Sequence, residues 1–352
     1  MKLPGIFDDK IVTTISREIA GRKTESMKIN SITNPSMMSR YRGCLLGGAV
    51  GDALGMPTEN MTRPQILAKY GHRIDDYHPK PNRQLAKGQW TDDTVLSLAT
   101  VESMVRIKAF SPSALAASMG MAFRKERWRG FGTTTKTALT RINRGCPWNE
   151  SGVLGVHSSG NGAAMSAAPL ALFSYGDVEQ LRQTCSMAFN ITHRNQEAVD
   201  GGLAIAFIVA RILDGSFDDS RIIEDTISYV GDSVISDALI HVNHLLGRDA
   251  DTDTAAAEIG TSGLVVDTVG ISVFLFLKNI HSFSDAVAIS AAIGGDTDTI
   301  ASIVGSMSGA YLGEESIPDK WLAGLENVER IRGLSDSLYK VSHPMSMWKY
   351  SK

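Results

Sequence analysis

The sequence predicts an all-α protein: a compact single-domain multi-helix fold over residues 40–345, preceded by an N-terminal extension, residues 1–39. Three observations carry that prediction. From Arg40 onward, apolar and small residues recur at helical spacing. Gly, Pro, Asn and Asp punctuate the joints between these segments. Period-2 alternation is missing, and Val153 to His157, the one stretch with strand character, is too short to count.

Residues 1–39 are polar and mixed in charge. One short helix is predicted there, Asp8 to Ala20, with Ile11, Val12, Ile15 and Ile19 on one side. Gly21 and the Lys/Ser/Asn/Pro-rich stretch to Ser39 read as a linker. The extension is either a partly flexible leader or an arm that orders on a partner. The main domain opens with small residues at Cys44, Leu45, Gly48, Ala49 and Asp52. Helices follow over Thr94–Lys108, Ser113–Arg124, Thr133–Asn143, Ala163–Phe173, Val178–Phe189, Glu197–Leu213, Val234–Leu246, Val265–Leu277 and Ser284–Ile293. Many Gly and Ala on their faces imply close helix packing, and no solenoid period is present. Asp251-Thr252-Asp253-Thr254 reads as an exposed helix start.

Composition removes several function classes. The formal net charge of -3 argues against bulk electrostatic binding to nucleic acid or an anionic membrane. Cys44, Cys146 and Cys185 are far apart and odd in number, against a disulfide framework or a Cys-rich zinc site and in keeping with a reducing cytoplasm. Met1 to Ala20 carries charges throughout, with no signal-peptide core. The apolar runs 201–213 and 263–277 contain Arg211 and Asp267 and are too short to span a bilayer.

The chemistry concentrates in Gly294-Gly295-Asp296-Thr297-Asp298-Thr299, an acidic turn between two apolar runs, Ala286 to Ile293 and Ile300 to Leu312. In a turn feeding a helix N-terminus both carboxylates can point at one spot, and such oxygen ligands suit Mg²⁺, Ca²⁺ or Mn²⁺. The structural alternative is a helix N-cap, since Asp and Thr cap well and acids favour that end of the dipole. A second knot, Gly88-Gln89-Trp90-Thr91-Asp92-Asp93-Thr94, also opens a helix. Adjacent carboxylates repel unless a cation or proton sits between them. Capping by Thr91 accounts for one Asp and leaves the second. Glu59, in Gly55-Met56-Pro57-Thr58-Glu59-Asn60, adds a loop carboxylate; Asp52 reads as a satisfied buried acid. Two such knots and one loop Glu offer enough oxygens for a pair of divalent ions, which orient hydroxyls or phosphates and activate water.

These blocks resemble the ADP-ribosylglycohydrolase family, of the dinitrogenase-reductase-activating glycohydrolase type, over about Arg40 to Asn327. The match runs in the family's order through Arg42–Gly47 and Gly51–Glu59, then Gly88–Thr94. It continues through Gly160-Asn161-Gly162-Ala163-Ala164-Met165 with Ala168-Pro169-Leu170 and Thr192-His193, and ends on the Gly-Gly-Asp-Thr-Asp-Thr turn. The resemblance implies two Mg²⁺ ions, or Mn²⁺ in their place, held by Thr91, Asp92, Asp93, Asp296, Asp298 and Thr299. It implies catalytic roles for Glu59, Asp93 and Asp298, with Glu59 on a mobile loop. Substrate contacts are implied for Glu59, Gly132, Thr133, Asn161, Gly162 and His193, those of Asn161 and Gly162 through backbone and amide groups. The implied reaction is hydrolysis of the bond between ADP-ribose and a modified protein side chain, arginine first, through a cationic, oxocarbenium-like state.

Two departures bear on specificity. Arginine-specific relatives usually carry an Asp near the position of Gly130 and an Asn near Thr133, and an Arg usually stands where this chain has Ser166. The acid that would meet a guanidinium is therefore absent. The extension is similar to that of bacterial immunity members, in which such an arm plugs an ADP-ribosylating toxin; residues 1–39 are the segment for such a partner. The competing readings are a binding protein that keeps the fold without turnover, and a hydrolase of another ADP-ribosyl linkage, such as serine.

Overall fold

In the computed structural model, residues 35–155 and 158–343 are described. The chain runs α1 (Met37–Gly55), α2 (Arg63–Tyr70), α3 (Asp92–Ile107), α4 (Pro112–Lys125), α5 (Thr133–Asn143), α6 (Trp148–Ser151), β1 (Val153–Leu154), α7 (Gly162–Met165), α8 (Ala168–Phe173) and α9 (Val178–Phe189). It continues with β2 (His193–Arg194), α10 (Gln196–Leu213), α11 (Ile222–Val230), α12 (Val234–Gly247), α13 (Thr252–Ile259), α14 (Val265–Lys278), α15 (Phe283–Ser290), α16 (Thr297–Leu312), α17 (Asp319–Gly324) and α18 (Val328–Ser342). The fold is all-α. Its strands are two residues each, paired in parallel with Val153 opposite His193.

The predicted helices agree with the observed ones, with instructive exceptions. Helix α1 starts at Met37, ahead of the expected Arg40, because Ser36 caps it by accepting from the Ser39 N–H. The helix expected over Asp8 to Ala20 lies outside the described residues. The single helix expected over Ala163 to Phe173 is broken into α7 and α8. Pro169 has no N–H to return to the Met165 carbonyl, which the Ser97 hydroxyl approaches at 3.5 Å. Asp251 caps α13 by accepting from the Thr254 N–H at 2.7 Å, and its side chain is exposed. Helices α2, α11, α17 and α18 were not singled out by periodicity.

The pair α1 and α16 positions the site. Along α1, Gly43, Gly47, Gly51 and Gly55 fall every fourth residue, hence on one face. A Cβ on them would lie 2.2, 2.3, 1.9 and 2.2 Å from the carbonyl oxygens of Gly309, Gly305, Ala301 and Thr297, respectively. Gly305 and Gly309 answer from α16, where a Cβ would meet the Gly47 and Gly43 oxygens at 2.1 and 1.9 Å. The two backbones therefore touch, antiparallel. Each helical Gly costs about 1 kcal/mol relative to Ala; close backbone packing offsets this with dispersion and Cα–H···O contacts. Helices α10 and α14, mostly buried, pack against α16. The C-terminal end of α1 thus meets the N-terminal end of α16, where the Thr297 hydroxyl donates to the Gly55 carbonyl at 2.9 Å.

Candidate active site

Helix α3 begins at the second acidic knot, and its cap comes from elsewhere. Thr91 occupies the N-cap position but makes no capping bond with its side chain. Asp52 of α1 does that work. Its carboxylate accepts from the Thr91 N–H at 2.9 and 3.0 Å, the Thr94 N–H at 3.0 Å, and the Thr91 and Thr94 hydroxyls at 2.8 and 2.6 Å. Asp52 is fully buried; burial pushes its carboxyl up to about 6, with these bonds pulling the other way. It is the satisfied buried acid that its context suggests. Capping by Asp52 leaves Asp92 and Asp93 without a structural duty at the helix start. One oxygen of Asp93, Oδ1, is buried with no hydrogen-bond partner. The other, Oδ2, lies 3.4 Å from the hydroxyls of Thr91 and Thr299.

At the start of α16, Gly294 and Gly295 take φ of +94° and +75°, the left-handed region. A Cβ on Gly295 would sit 2.0 Å from the Thr261 carbonyl oxygen. The turn is clamped by Gly295 N–H to the Met61 carbonyl, Asp296 N–H to the Thr261 carbonyl and Asn60 N–H to the Gly295 carbonyl, at 3.0, 2.8 and 2.8 Å. Asp296 stands at the N-cap position and makes no capping bond either. Its Oδ2 accepts from the Asn161 amide at 2.6 Å. Asp298 accepts from the N–H of its neighbour Thr299, at 3.1 Å. One carboxylate oxygen each from Glu59, Asp296 and Asp298 lie within 4.8 Å of one another.

The capping alternative thus fails at both knots, and the acids converge. Burial first, then the charges of Asp52, Glu59 and Asp296, push the Asp92 carboxyl up to about 7. Burial and the neighbouring carboxylates hold Asp93 and Asp298 well above the ordinary range. Five acids (Glu59, Asp92, Asp93, Asp296 and Asp298) and Thr299 line one cavity of about 240 Å³. Thr91 stands behind it, fully buried.

The same cavity is lined by Gly132, Thr133, Asn161, Gly162 and His193, for which substrate contact is expected. Gly132 and Thr133 present the N-terminus of α5, whose partial positive charge faces the cavity. His193 is buried and pairs Nδ1 with the Thr192 hydroxyl at 2.9 Å. Burial pushes its pKa down to about 4, so the ring is neutral at physiological pH. A Cβ on Gly162 would lie 2.4 Å from His193 Cε1, so only glycine lets the ring sit there. Asn161 lines the cavity and is also held from within the fold. Its amide hydrogens go to Asp296 and, at 2.9 Å, to Thr268, and its N–H goes to the Gly263 carbonyl at 3.1 Å. It orients Asp296. Ser166, which replaces the usual Arg, bonds back to the Gly162 carbonyl at 2.9 Å.

Sequence reasoning missed three basic residues. Lys80 Nζ meets Glu59 Oε2 at 2.6 Å, and Arg83 forks onto both oxygens, at 2.6 and 2.8 Å. Burial alone would raise the Glu59 carboxyl; Lys80 and Arg83 outweigh it and hold the group below its ordinary value. The loop glutamate is thus paired with two cations. Arg129 is almost fully buried, stacked 3.9 Å over Trp90 and 4.2 Å over Trp128, and donates to the Trp90 carbonyl at 2.7 Å. It ties the loop at Gly130 to the knot at Asp92. No periodicity marks these residues; only Arg129, just before Gly130, stands beside a glycine-rich turn.

Comparison with known proteins agrees with this architecture. A family model described as ADP-ribosylglycohydrolase matches residues 33–346. The chain is 26% identical over 347 residues to ADP-ribosylhydrolase ARH3 of Mus musculus, covering 86% of this chain and 92% of that protein. It is 27% identical over 316 residues to ADP-ribosylarginine hydrolase Tri1 of Serratia proteamaculans, covering 88% and 81%. A solved structure described as an ADP-ribosylglycohydrolase-related protein complex shares the fold, with a TM-score of 0.70, 24% identity, and coverage of 87% of this chain and 99% of that one. Two acidic helix starts relieved of capping, facing one cavity, thus accompany a sequence match over nearly the whole chain, and the chain belongs to the ADP-ribosylglycohydrolase family of enzymes.

Proposed function

We propose that this enzyme uses divalent metal ions to hydrolyse the glycosidic bond between ADP-ribose and a modified protein side chain. The observation that carries the reading is Asp93 Oδ1, a buried carboxylate oxygen without a partner among acids that burial and mutual repulsion hold well above their ordinary range. Such a group is costly unless a cation is part of the site. The donor set fits: Thr91, Asp92, Asp93, Asp296, Asp298 and Thr299 would hold two Mg²⁺, or Mn²⁺, through hard oxygen ligands. Bound there, the ions supply positive charge that orients ribose hydroxyls and acidifies water.

The chain's own residues supply the rest. Glu59, kept ionised by Lys80 and Arg83, accepts a proton from the attacking water. The carboxylates of Asp93 and Asp298 favour the positive charge that develops on the ribose. The N-terminus of α5 favours the diphosphate, and neutral His193 offers a hydrogen bond without a charge. Free, buried Cys44 and Cys185 suit the reducing cytoplasm proposed for the reaction, and no described helix is long and apolar enough to cross a membrane.

The test is release of ADP-ribose from ADP-ribosylated protein, with Mg²⁺ and with chelator, for wild type and Asp298→Ala. Metal-dependent release that falls at least about a hundredfold in the variant is expected. Release that survives both chelator and Asp298→Ala refutes the reading. The proposed role against an ADP-ribosyltransferase toxin belongs to residues 1–39. Deleting residues 1–34, which spares α1, is expected to abolish toxin binding while hydrolysis continues; unchanged binding refutes it.

A further inference from the structure

A second and larger cavity, a groove of about 670 Å³, borders the acid-lined one; Gly263 and Asp296 line both. The acid-lined cavity is smaller than the roughly 300–1,000 Å³ of most small-molecule sites, whereas the groove lies inside that range. It is lined by Asn60, Met61 and Arg63, by Asp253, Ala256 and Ala257 of α13, and by the turns at 261–263 and 293–296. These segments are tied to one another, so the groove is preformed. Arg63 Nε pairs with Asp253 at 2.9 Å, and its Nη1 donates to the Ala292 carbonyl at 2.7 Å. At the shared border Gly263 carries no side chain; a Cβ there would lie 3.1 Å from Asp296 Oδ2. Met61, Ala256, Ala257 and Ile293 make the groove largely apolar. Arg63, matched by Asp253, is the one cation among the described residues lining it, so a diphosphate finds no unmatched positive charge there.

We infer that this groove receives the polypeptide that carries the ADP-ribose, as an extended segment flanking the modified residue. The inference rests on the hydrolase reading above. In that reading the reacting ribose sits at the acids, and the diphosphate leads toward Gly132 and Thr133 at the start of α5. Those two residues line the acid cavity and not the groove, whereas Asp296, in the carboxylate cluster with Glu59 and Asp298, lines both. The groove therefore opens at the reacting end, and what is attached to ADP-ribose at that end is the protein. An apolar side chain of the segment would be buried against Met61, Ala256 and Ile293, a gain of about 25 cal/mol for each Å² removed from water. The exposed polar groups of Thr62 and Ser262 remain for its backbone. Binding energy gathered there, away from the reacting bond, raises kcat/KM for modified protein over a small ADP-ribosyl compound with the same linkage.

The experiment measures kcat/KM with Mg²⁺ for a short ADP-ribosylated peptide and for the single ADP-ribosylated amino acid at its centre. Both are prepared in arginine-linked and serine-linked form, and the linkage that is cleaved gives the ratio. The full chain is compared with Ala256→Trp and Ala257→Trp, which fill the groove from α13. Wild type is expected to favour the peptide at least about tenfold. Both variants are expected to narrow that ratio about tenfold, through KM for the peptide, with the amino acid cleaved as before. A general disturbance would lower both rates together and leave the ratio unchanged. Ala257 is exposed, so Ala257→Trp keeps the test open if Ala256→Trp does not fold. Equal cleavage of peptide and amino acid by wild type, or an unchanged ratio in both variants, overturns the inference alone. So does a wild-type dimer that either variant dissociates, or a peptide preference that appears only once residues 1–34 are deleted; these assign the groove to a second copy or to the chain's own N-terminal segment. No release from any of the substrates overturns the hydrolase reading and the inference with it.

Discussion

Adding one methyl group at Gly51, in Gly51→Ala, is expected to damage both stability and activity. The new Cβ would lie 1.9 Å from the Ala301 carbonyl oxygen, where ordinary contact begins at 3.4 Å, so α1 and α16 must separate locally by about 1.5 Å. The obstacle is backbone, and no side chain can turn aside. Overpacking of this kind costs about 1–3 kcal/mol, less the helix propensity that Ala gains. At no more than about 2–4 °C per kcal/mol for a domain this large, the melting temperature falls by a few degrees. The larger effect is on chemistry. Asp52 is the next residue along α1, and Asp298 stands three residues before Ala301 on α16. Shifting one helix against the other by about 1 Å exceeds the tolerance of a preorganised site and costs about a hundredfold in rate. The assay pairs thermal melting with ADP-ribose release at saturating Mg²⁺. Unchanged melting together with unchanged release would show that the backbone contact sets neither stability nor geometry.

Two further predictions concern the acids. Asp52→Ala removes the acceptor for two N–H groups and two hydroxyls at the start of α3. The expected loss is at least about 3 kcal/mol in chemical denaturation, and a loss under about 1 kcal/mol would contradict the trans-capping role. Stability without metal is expected to fall as pH rises. Asp92 moves from an ordinary 3.8 to about 7, and Asp93 and Asp298 also stand well above their ordinary value. The native state therefore holds more protons than the unfolded chain across that window. The contribution of Asp92 is complete below 3.8 and is lost as pH passes about 7. Melting in chelator from pH 5 to 8 reads this slope directly, and saturating Mg²⁺ is expected to oppose it, because the ions require deprotonated carboxylates. A flat profile in chelator would refute the crowding of the acids.

The helices were legible because burial of one face writes itself into spacing, and Val178–Phe189 and Thr133–Asn143 show this to the residue. The acidic knots were legible for a different reason: two adjacent carboxylates at Asp92 and Asp93 exceed what one cap needs. The cap given by Asp52 was not, since it crosses 39 and 42 positions of sequence to Thr91 and Thr94. That Asn161 also orients Asp296 was not legible either, since its amide reaches Thr268 and Asp296 across more than a hundred positions. Lys80 and Arg83 sit in a short polar turn, where composition says only that the chain bends. The break at Pro169 could have been predicted, because a missing N–H is a local fact.

The backbone contact between α1 and α16 also sets a timetable. The bond from Thr297 to Gly55 spans 242 positions. At translation rates of about 5–20 residues per second, α1 waits roughly 12–50 s after its own synthesis before its partner exists. Throughout that interval its glycine face, which no side chain shields, has nothing to pack against. Because non-local contacts repay their loop-closure entropy only when they form, this pairing belongs among the slow events of folding. The cavity needs acids from both ends of this contact, so a nascent chain has no site until α16 is made, and a chain cut short before Thr297 never acquires one.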